Sequence, residues 1–318
     1  MKVTVIGCGR WGSLITWYLD SIGNEVTLYG RAASKHMQGF LTDRCNDILR
    51  LPESVRLSTD LACAEQADTI IISINSQGLQ ALMDELKPYN LVNKTFVLCM
   101  KGIEISTGRR LSQIAEANMD SSNRIAVWLG PGHVQELYHG IPNCMVIDSA
   151  DERVKQYLVN AFSSELIRFY YGQDLIGNEL GAAVKNVIGI AAGMLDGLGL
   201  SSLKGALMSR GTREVARLIK AMGGNELSAY GLCHLGDYEA TIFSSFSHNR
   251  RFGEAFVKHE TYQELAEGYY TVKAVLELAD KYMVDMPICL AVYQILYEKK
   301  NAKEVLDGLF MRSLKKEF

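Results

Sequence analysis

Six residues near the start of the chain, Gly7-Cys8-Gly9-Arg10-Trp11-Gly12, sit between the apolar run Val3–Ile6 and the helical pattern of Ser13–Ile22. The G-x-G-x-x-G spacing is a common pattern taken alone. Placed after a strand and before a helix, it predicts the first βα unit of a dinucleotide-binding Rossmann sheet. Gly7 permits the tight turn, Gly9 lets the backbone approach a pyrophosphate, and Gly12 lets helix and strand pack closely. The unpaired amides and dipole of the helix N-terminus then favour the phosphates. The alternative is a structural glycine turn with no ligand.

The second strand bears on which dinucleotide is bound. An acid near its end holds the ribose 2′-hydroxyl in NAD-selective proteins. Here Glu25–Tyr29 continues as Gly30-Arg31-Ala32-Ala33-Ser34-Lys35, with no acid. A guanidinium at Arg31 suits a 2′-phosphate, with Ser34 or Lys35 as helpers. NADP is therefore favoured over NAD, the alternative being that Arg31 is a solvated loop charge.

The rest of the first half alternates short apolar runs with amphipathic stretches. Strands are expected at Val3–Ile6, Glu25–Tyr29, Thr69–Ile74, Thr95–Met100, Ile125–Leu129 and Cys144–Ile147, with helical patterns such as Ser76–Leu86 and Thr107–Ala117 between them. Such alternation implies a parallel, doubly wound α/β sheet covered on both faces. From about Asn178 onward no strand run is visible, and Leu203–Met222, Tyr270–Met283 and Cys289–Tyr297 read as helices. The expected organisation is a Rossmann domain over residues 1–172 and an all-α domain over 173–318, the latter completing a substrate site in the crevice at the strand ends.

Composition narrows the function classes. The 33 basic and 36 acidic residues give a net charge of -3, so no global basic field exists for a nucleic acid or a membrane surface. The seven cysteines are scattered without a C-x-x-C pair, which argues for reduced thiols and against a zinc site. No signal-peptide pattern opens the chain, and the apolar stretch Gly181–Leu195 is shorter than the roughly 20 residues that span a bilayer. A cytoplasmic protein with no integral membrane segment is expected. The sequence leaves monomer and homodimer both open.

That apolar stretch contains Lys185 and Asn186. A helix apolar on nearly every face should be buried, and an unpaired buried ammonium is expensive. Either an anion compensates it or its proton is loosened, and both situations are common at catalytic sites. A structural ion pair is the alternative.

Several further segments carry a resemblance. GCGRWGS at Gly7–Ser13, MKGIE at Met100–Glu104, LGPGHVQE at Leu129–Glu136, ELGAAVKNVIGIAAGMLDGLGL at Glu179–Leu200, LGDYEAT at Leu235–Thr241, SHNRRFG at Ser247–Gly253 and AEGYYT at Ala266–Thr271 are similar, in order and spacing, to the NAD(P)-dependent glycerol-3-phosphate dehydrogenases. The resemblance implies reduction of dihydroxyacetone phosphate to sn-glycerol 3-phosphate. It makes Lys185 the acid that protonates the C2 oxygen, with Asp237 and Thr241 orienting it. It places Lys101 where substrate and nicotinamide meet and Asn186 beside the reacting centre. Ser247, His248 and Asn249 would hold the phosphate end, with Gly130 and Gly132 also at the substrate. Arg10, Trp11, Val134, His248 and Glu267 would join the glycine loop and Arg31 at the dinucleotide.

Two departures stand out. The family usually has Ser-Arg-Asn where this chain has Ser247-His248-Asn249, and G-P-[ST] where it has Gly130-Pro131-Gly132. Arg250 or Arg251 could supply the missing charge, although neighbouring residues do not point the same way. A different phosphorylated ketose or polyol, or a non-catalytic NADP-binding regulator, are the rival readings. Retention of Lys101, Lys185, Asp237 and Thr241 argues against the regulator, which needs only the glycine loop. His133 and His234 have no second histidine at metal-ligand spacing, so no metal is expected.

Overall fold

A computed structural model describes residues 1–313. The chain runs β1 (Lys2–Ile6), α1 (Arg10–Ser21), β2 (Glu25–Tyr29), α2 (Lys35–Asp43), β3 (Arg56–Ser58), β4 (Thr69–Ile72), α3 (Leu79–Leu86), β5 (Thr95–Leu98), α4 (Leu111–Asn118), β6 (Arg124–Leu129), α5 (Val134–Tyr138), β7 (Asn143–Ser149), α6 (Glu152–Phe162) and β8 (Ile167–Tyr171). The helices α7 (Leu175–Gly197), α8 (Lys204–Ala221), α9 (His248–Val257), α10 (Glu267–Lys281), α11 (Pro287–Leu296) and α12 (Ala302–Phe310) follow. No strand lies beyond β8 among the described residues.

The strands form one eight-stranded sheet in the order β3-β2-β1-β4-β5-β6-β7-β8. The chain order reverses on either side of β1, which is the doubly wound arrangement that puts the end of β1 beside a crevice. The central strand β4 is buried at every residue, as a strand covered on both faces must be. Val5, Leu14, Ile15, Tyr18, Leu28, Ile71, Val97 and Trp128 contribute to one apolar core cluster.

Three expectations need correction. The sheet is not wholly parallel, because β7 runs antiparallel to β6. The connection between them holds only the five-residue α5, too short to carry the chain back along the sheet face for a parallel return. Strands β3 and β8 were not anticipated. The first has only three residues, and the second, Ile167-Arg-Phe-Tyr-Tyr171, lies at the edge, where two of its five residues are buried. The apolar helix is also longer than its most apolar segment: α7 has 23 residues, enough by length and composition to cross a membrane. Its apolar window is 83% buried within the protein, the behaviour of a core helix.

The chain divides into a sheet unit, residues 1–101 and 109–179, and a helical unit, residues 102–108 and 180 onward. By contacts the division falls inside α7, since the first turns of that helix are tied to the sheet. Asp148 at the end of β7 accepts from the backbone of Asp174 (3.1 Å) and the side chain of Asn178 (2.8 Å). In the helical unit, close backbone approach is secured by glycine. A Cβ on Gly193 of α7 would lie 1.8 Å from the Arg250 carbonyl oxygen, and one on Gly253 of α9 would lie 2.1 Å from that of Ile190. Helices α7 and α9 therefore pack backbone to backbone.

Candidate active site

The glycine loop has the geometry of a phosphate cradle. Gly7 has φ +118°, and a Cβ there would lie 2.1 Å from the Ser73 carbonyl oxygen. A Cβ on Gly12 would lie 1.9 Å from the Gly7 carbonyl oxygen. The fold itself demands those two glycines. Gly9 is different: a Cβ there would meet no heavy atom within 4 Å. Its lack of a side chain matters only to something brought close from outside, as the N-cap of α1 requires for a pyrophosphate. The loop therefore fits a dinucleotide. Arg10 opens α1, while Trp11 packs on the same core cluster as the buried Val134.

The loop after β6 lies against these residues within the same unit. Gly130 and Gly132 take φ of +131° and +149°, where side chains are disfavoured. A Cβ on Gly132 would sit 2.9 Å from Met145 Cε, 3.2 Å from Leu137 and 3.7 Å from Trp11. Both the backbone conformation and the close surroundings therefore suit glycine at position 132. The Lys101 ammonium donates to the Gly130 carbonyl at 2.7 Å. Lys101, Gly130, Gly132 and Trp11 thus form one neighbourhood. Arg31 stands apart from it, beyond β2, with its side chain 68% exposed and 2.8 Å from Glu85.

In the helical unit, Lys185 is buried on α7. Its ammonium lies 2.5 Å from the Asp237 carboxylate and donates to the Thr241 hydroxyl at 2.8 Å. Thr241 donates in turn to the Asp237 backbone carbonyl at 2.7 Å, closing the group. The compensating anion expected for a buried lysine is thus Asp237, which is 1% exposed. Asp237 ends a 3-10 turn, and Thr241 lies in the π-helical turn Glu239–Phe243 that follows. A wider helical turn of this kind is frequent at functional sites.

Asn186, Asn249 and Glu267 converge nearby. The Asn249 side chain accepts from the Gly268 amide at 2.8 Å, and a Cβ on Gly268 would lie 2.5 Å from the Asn186 carbonyl oxygen. Glu267 precedes Gly268 as the first residue of α10. Ser247 caps α9, accepting from the Arg250 amide at 3.3 Å, so Ser247, His248 and Asn249 sit at the positive end of a helix. His248 Nδ1 lies 2.8 Å from the Tyr262 hydroxyl. Arg250 is engaged elsewhere, 2.7 Å from Asp196 and 3.4 Å from Glu254. Arg251, three residues beyond His248 on the same helix, lies over the Tyr262 ring at 5.5 Å. Of the two arginines, Arg251 is the one that shares a partner with His248.

Sequence reasoning left His234 without a role. It is fully buried, with Nδ1 donating to the Gly181 carbonyl at 2.8 Å and Nε2 accepting from the Tyr238 hydroxyl at 2.7 Å. A carbonyl can only accept, so a proton sits on Nδ1. Burial pushes the imidazole down to about 4, which keeps the ring neutral with Nε2 as the acceptor. His234 therefore ties the Asp237 turn to α7 one helical turn before Lys185. The only sequence signal was the four-residue spacing of His234 and Tyr238. Among the described residues no cluster of three or more His, Cys, Asp or Glu side chains suits a metal ion.

Known proteins give the same picture. The family model described as NAD-dependent glycerol-3-phosphate dehydrogenase N-terminus matches residues 2–155, and its C-terminal counterpart matches residues 174–307. A glycerol-3-phosphate dehydrogenase [NAD(P)+] of Streptomyces griseus is 38% identical, with 100% of this chain and 98% of that protein covered. One from Thermoanaerobacter is 33% identical, with 100% and 99% covered. The solved glycerol-3-phosphate dehydrogenase of Coxiella burnetii superposes with a TM-score of 0.91 at 27% identity, covering 98% of this chain and 99% of that one. With both halves matched and the whole length aligned, the chain belongs to the NAD(P)-dependent glycerol-3-phosphate dehydrogenase family.

Proposed function

We propose that the chain catalyses the reversible reduction of dihydroxyacetone phosphate to sn-glycerol 3-phosphate in the cytoplasm, supplying the glycerol backbone of phospholipids. The observation that carries this reading is the buried Lys185 ammonium, held by Asp237 at 2.5 Å and Thr241 at 2.8 Å in a member of this family. In the sheet unit, Gly7, Gly9, Arg10, Trp11, Gly12 and Val134 hold the dinucleotide, with Arg31 selecting its 2′-phosphate. A bound nicotinamide supplies the hydride. Lys185 gives a proton to the C2 oxygen as negative charge develops there, and takes it back in the reverse direction. Asp237 keeps the ammonium charge compensated in a site that water barely reaches, and Thr241 fixes its direction. Lys101 and Asn186 contact the reacting end of the substrate. Ser247, His248 and Asn249 take the phosphate, and Glu267 contacts the dinucleotide.

An imidazole at His248, 2.8 Å from the Tyr262 hydroxyl, where the resemblance implies an arginine, favours a second reading in which a different phosphorylated ketose is preferred. One experiment separates the two: NADPH and NADH oxidation measured against a panel of ketose phosphates. The highest kcat/KM with dihydroxyacetone phosphate supports the first reading. A higher value with another ketose phosphate replaces it.

A further inference from the structure

Two charged residues of the helical unit stand at helix ends that should repel them. Asp196 lies in the last turn of α7, where the helix dipole disfavours an acid, and Lys204 is the first residue of α8, where it disfavours a cation. Both are more than nine-tenths buried. Neither placement helps its own helix, so the reason must lie in what the two touch.

The Lys204 ammonium lies 2.6 Å from Asp196 Oδ2 and donates to the Ile242 backbone carbonyl at 3.1 Å. Asp196 is itself fixed: Ser201 donates to its Oδ1 at 2.6 Å, and Arg250 of α9 lies 2.7 Å from its Oδ2. Ile242 belongs to the π-helical turn Glu239–Phe243 and is the neighbour of Thr241. The chain becomes extended at Ser244, so the carbonyls ending that turn need donor partners from outside it. A cation on a terminal carbonyl meets that need and suits the dipole of the turn.

We propose that Lys204 is a positioning residue for the reaction: by capping the turn at Ile242, with Asp196 as its anchor, it holds the Thr241 hydroxyl against Lys185. This rests on the reading of Lys185 as the proton donor. Lys204 contacts neither substrate nor dinucleotide in this account. It acts through the backbone of the turn, one residue from a side chain that must aim the ammonium.

The test uses the full chain with Lys204→Met, Lys204→Arg, Asp196→Asn and Lys185→Ala. Lys204→Met should lower kcat about tenfold, the scale of a small misplacement, while KM for dihydroxyacetone phosphate and Kd for NADPH change less than about twofold. Lys204→Arg, which restores a cationic donor, should recover most of the lost kcat. A kcat within about twofold of wild type in Lys204→Met, or equal losses in the Met and Arg variants, overturns the proposal. If Lys204→Met does not fold, Asp196→Asn decides: Lys204 then loses its anchor but keeps its carbonyl, and kcat should fall about threefold with KM unchanged. An unchanged kcat there overturns the proposal as well. Lys185→Ala separates the two levels. Retained turnover in that variant defeats the donor assignment, whereas lost turnover beside an unaffected Lys204→Met defeats only the positioning role.

Discussion

Arg31 and Lys185 are both cations facing a carboxylate, and they show how differently the two units use charge. Arg31 in the sheet unit is 68% exposed and 2.8 Å from Glu85. Lys185 in the helical unit is 7% exposed and 2.5 Å from an Asp237 that is almost fully buried. An exposed pair is screened and exchangeable, with a net worth of about 0–1 kcal/mol. Arg31 can therefore leave Glu85 for a ligand phosphate at little cost. A buried pair cannot be given up in that way, because removing one partner strands the other, at about 3–5 kcal/mol. The exposed cation of the sheet unit is free to exchange partners, whereas the buried ammonium of the helical unit is held in one place.

The comparison breaks or holds on four measurements. The largest effect is expected from Lys185→Ala, which should lower turnover by roughly 10²–10⁴-fold. NADPH binding, read by fluorescence titration, should stay near wild type, because the glycine loop lies in the other unit. Turnover close to wild type would dissolve the assignment of chemistry to the helical unit.

Gly12→Ala is expected to act on the opposite side. Its Cβ would lie 1.9 Å from the Gly7 carbonyl oxygen, so the loop or α1 must shift. NADPH affinity should fall more than tenfold, with a loss of stability of about 1–3 kcal/mol from overpacking. An unchanged Kd would mean that the cradle does not hold the pyrophosphate. Arg31→Ala probes the exposed cation. NADPH binding should weaken about tenfold, near 1.4 kcal/mol, while NADH binding stays almost unchanged. Equal losses for both cofactors would show that Arg31 supports the loop or the adenine instead.

The smallest effect concerns two buried groups of the helical unit that titrate in opposite senses. Glu214 accepts from the Ile288 and Cys289 amides at 2.9 Å each, capping α11 from a neighbouring helix. Burial pushes its carboxyl up to about 7, so the stability it adds is full below its ordinary value of 4.5 and is lost as pH rises through 7. His234, pushed down to about 4 from 6.5, adds stability above 6.5 that is lost as pH falls through 4. Between those limits the two slopes oppose each other. Glu214→Gln removes only the first, so the wild-type advantage in Tm over this variant should be larger at pH 5 than at pH 8. A difference that is constant with pH would show that Glu214 stays ionised in the folded protein.

How much of this was legible in the sequence differs between the units for a physical reason. Strands buried on both faces read as unbroken Ile and Val runs, as at Thr69–Ile72, and β2 was placed at its observed limits, Glu25–Tyr29. The edge strand β8 was invisible, because a half-exposed strand of five residues with two adjacent tyrosines has no such run. The reversal of β7 was equally hidden. It depends on how far a short connection can carry the chain, not on the residues of the strand.

The sequence by itself determined the glycine loop, because a tight turn, a close packing and a bare surface are local backbone requirements met by three residues in fixed order. It also determined that Lys185 needed a partner, since an ammonium in an apolar helix cannot stay uncompensated. Only the tertiary structure decided how that partner is held. Asp237 is 52 positions away in sequence, its turn is tied to α7 through His234 and Gly181, and the next turn is capped by Lys204 and Asp196. Those contacts join residues far apart in the chain, and no spacing in one sequence records which distant elements will pack together.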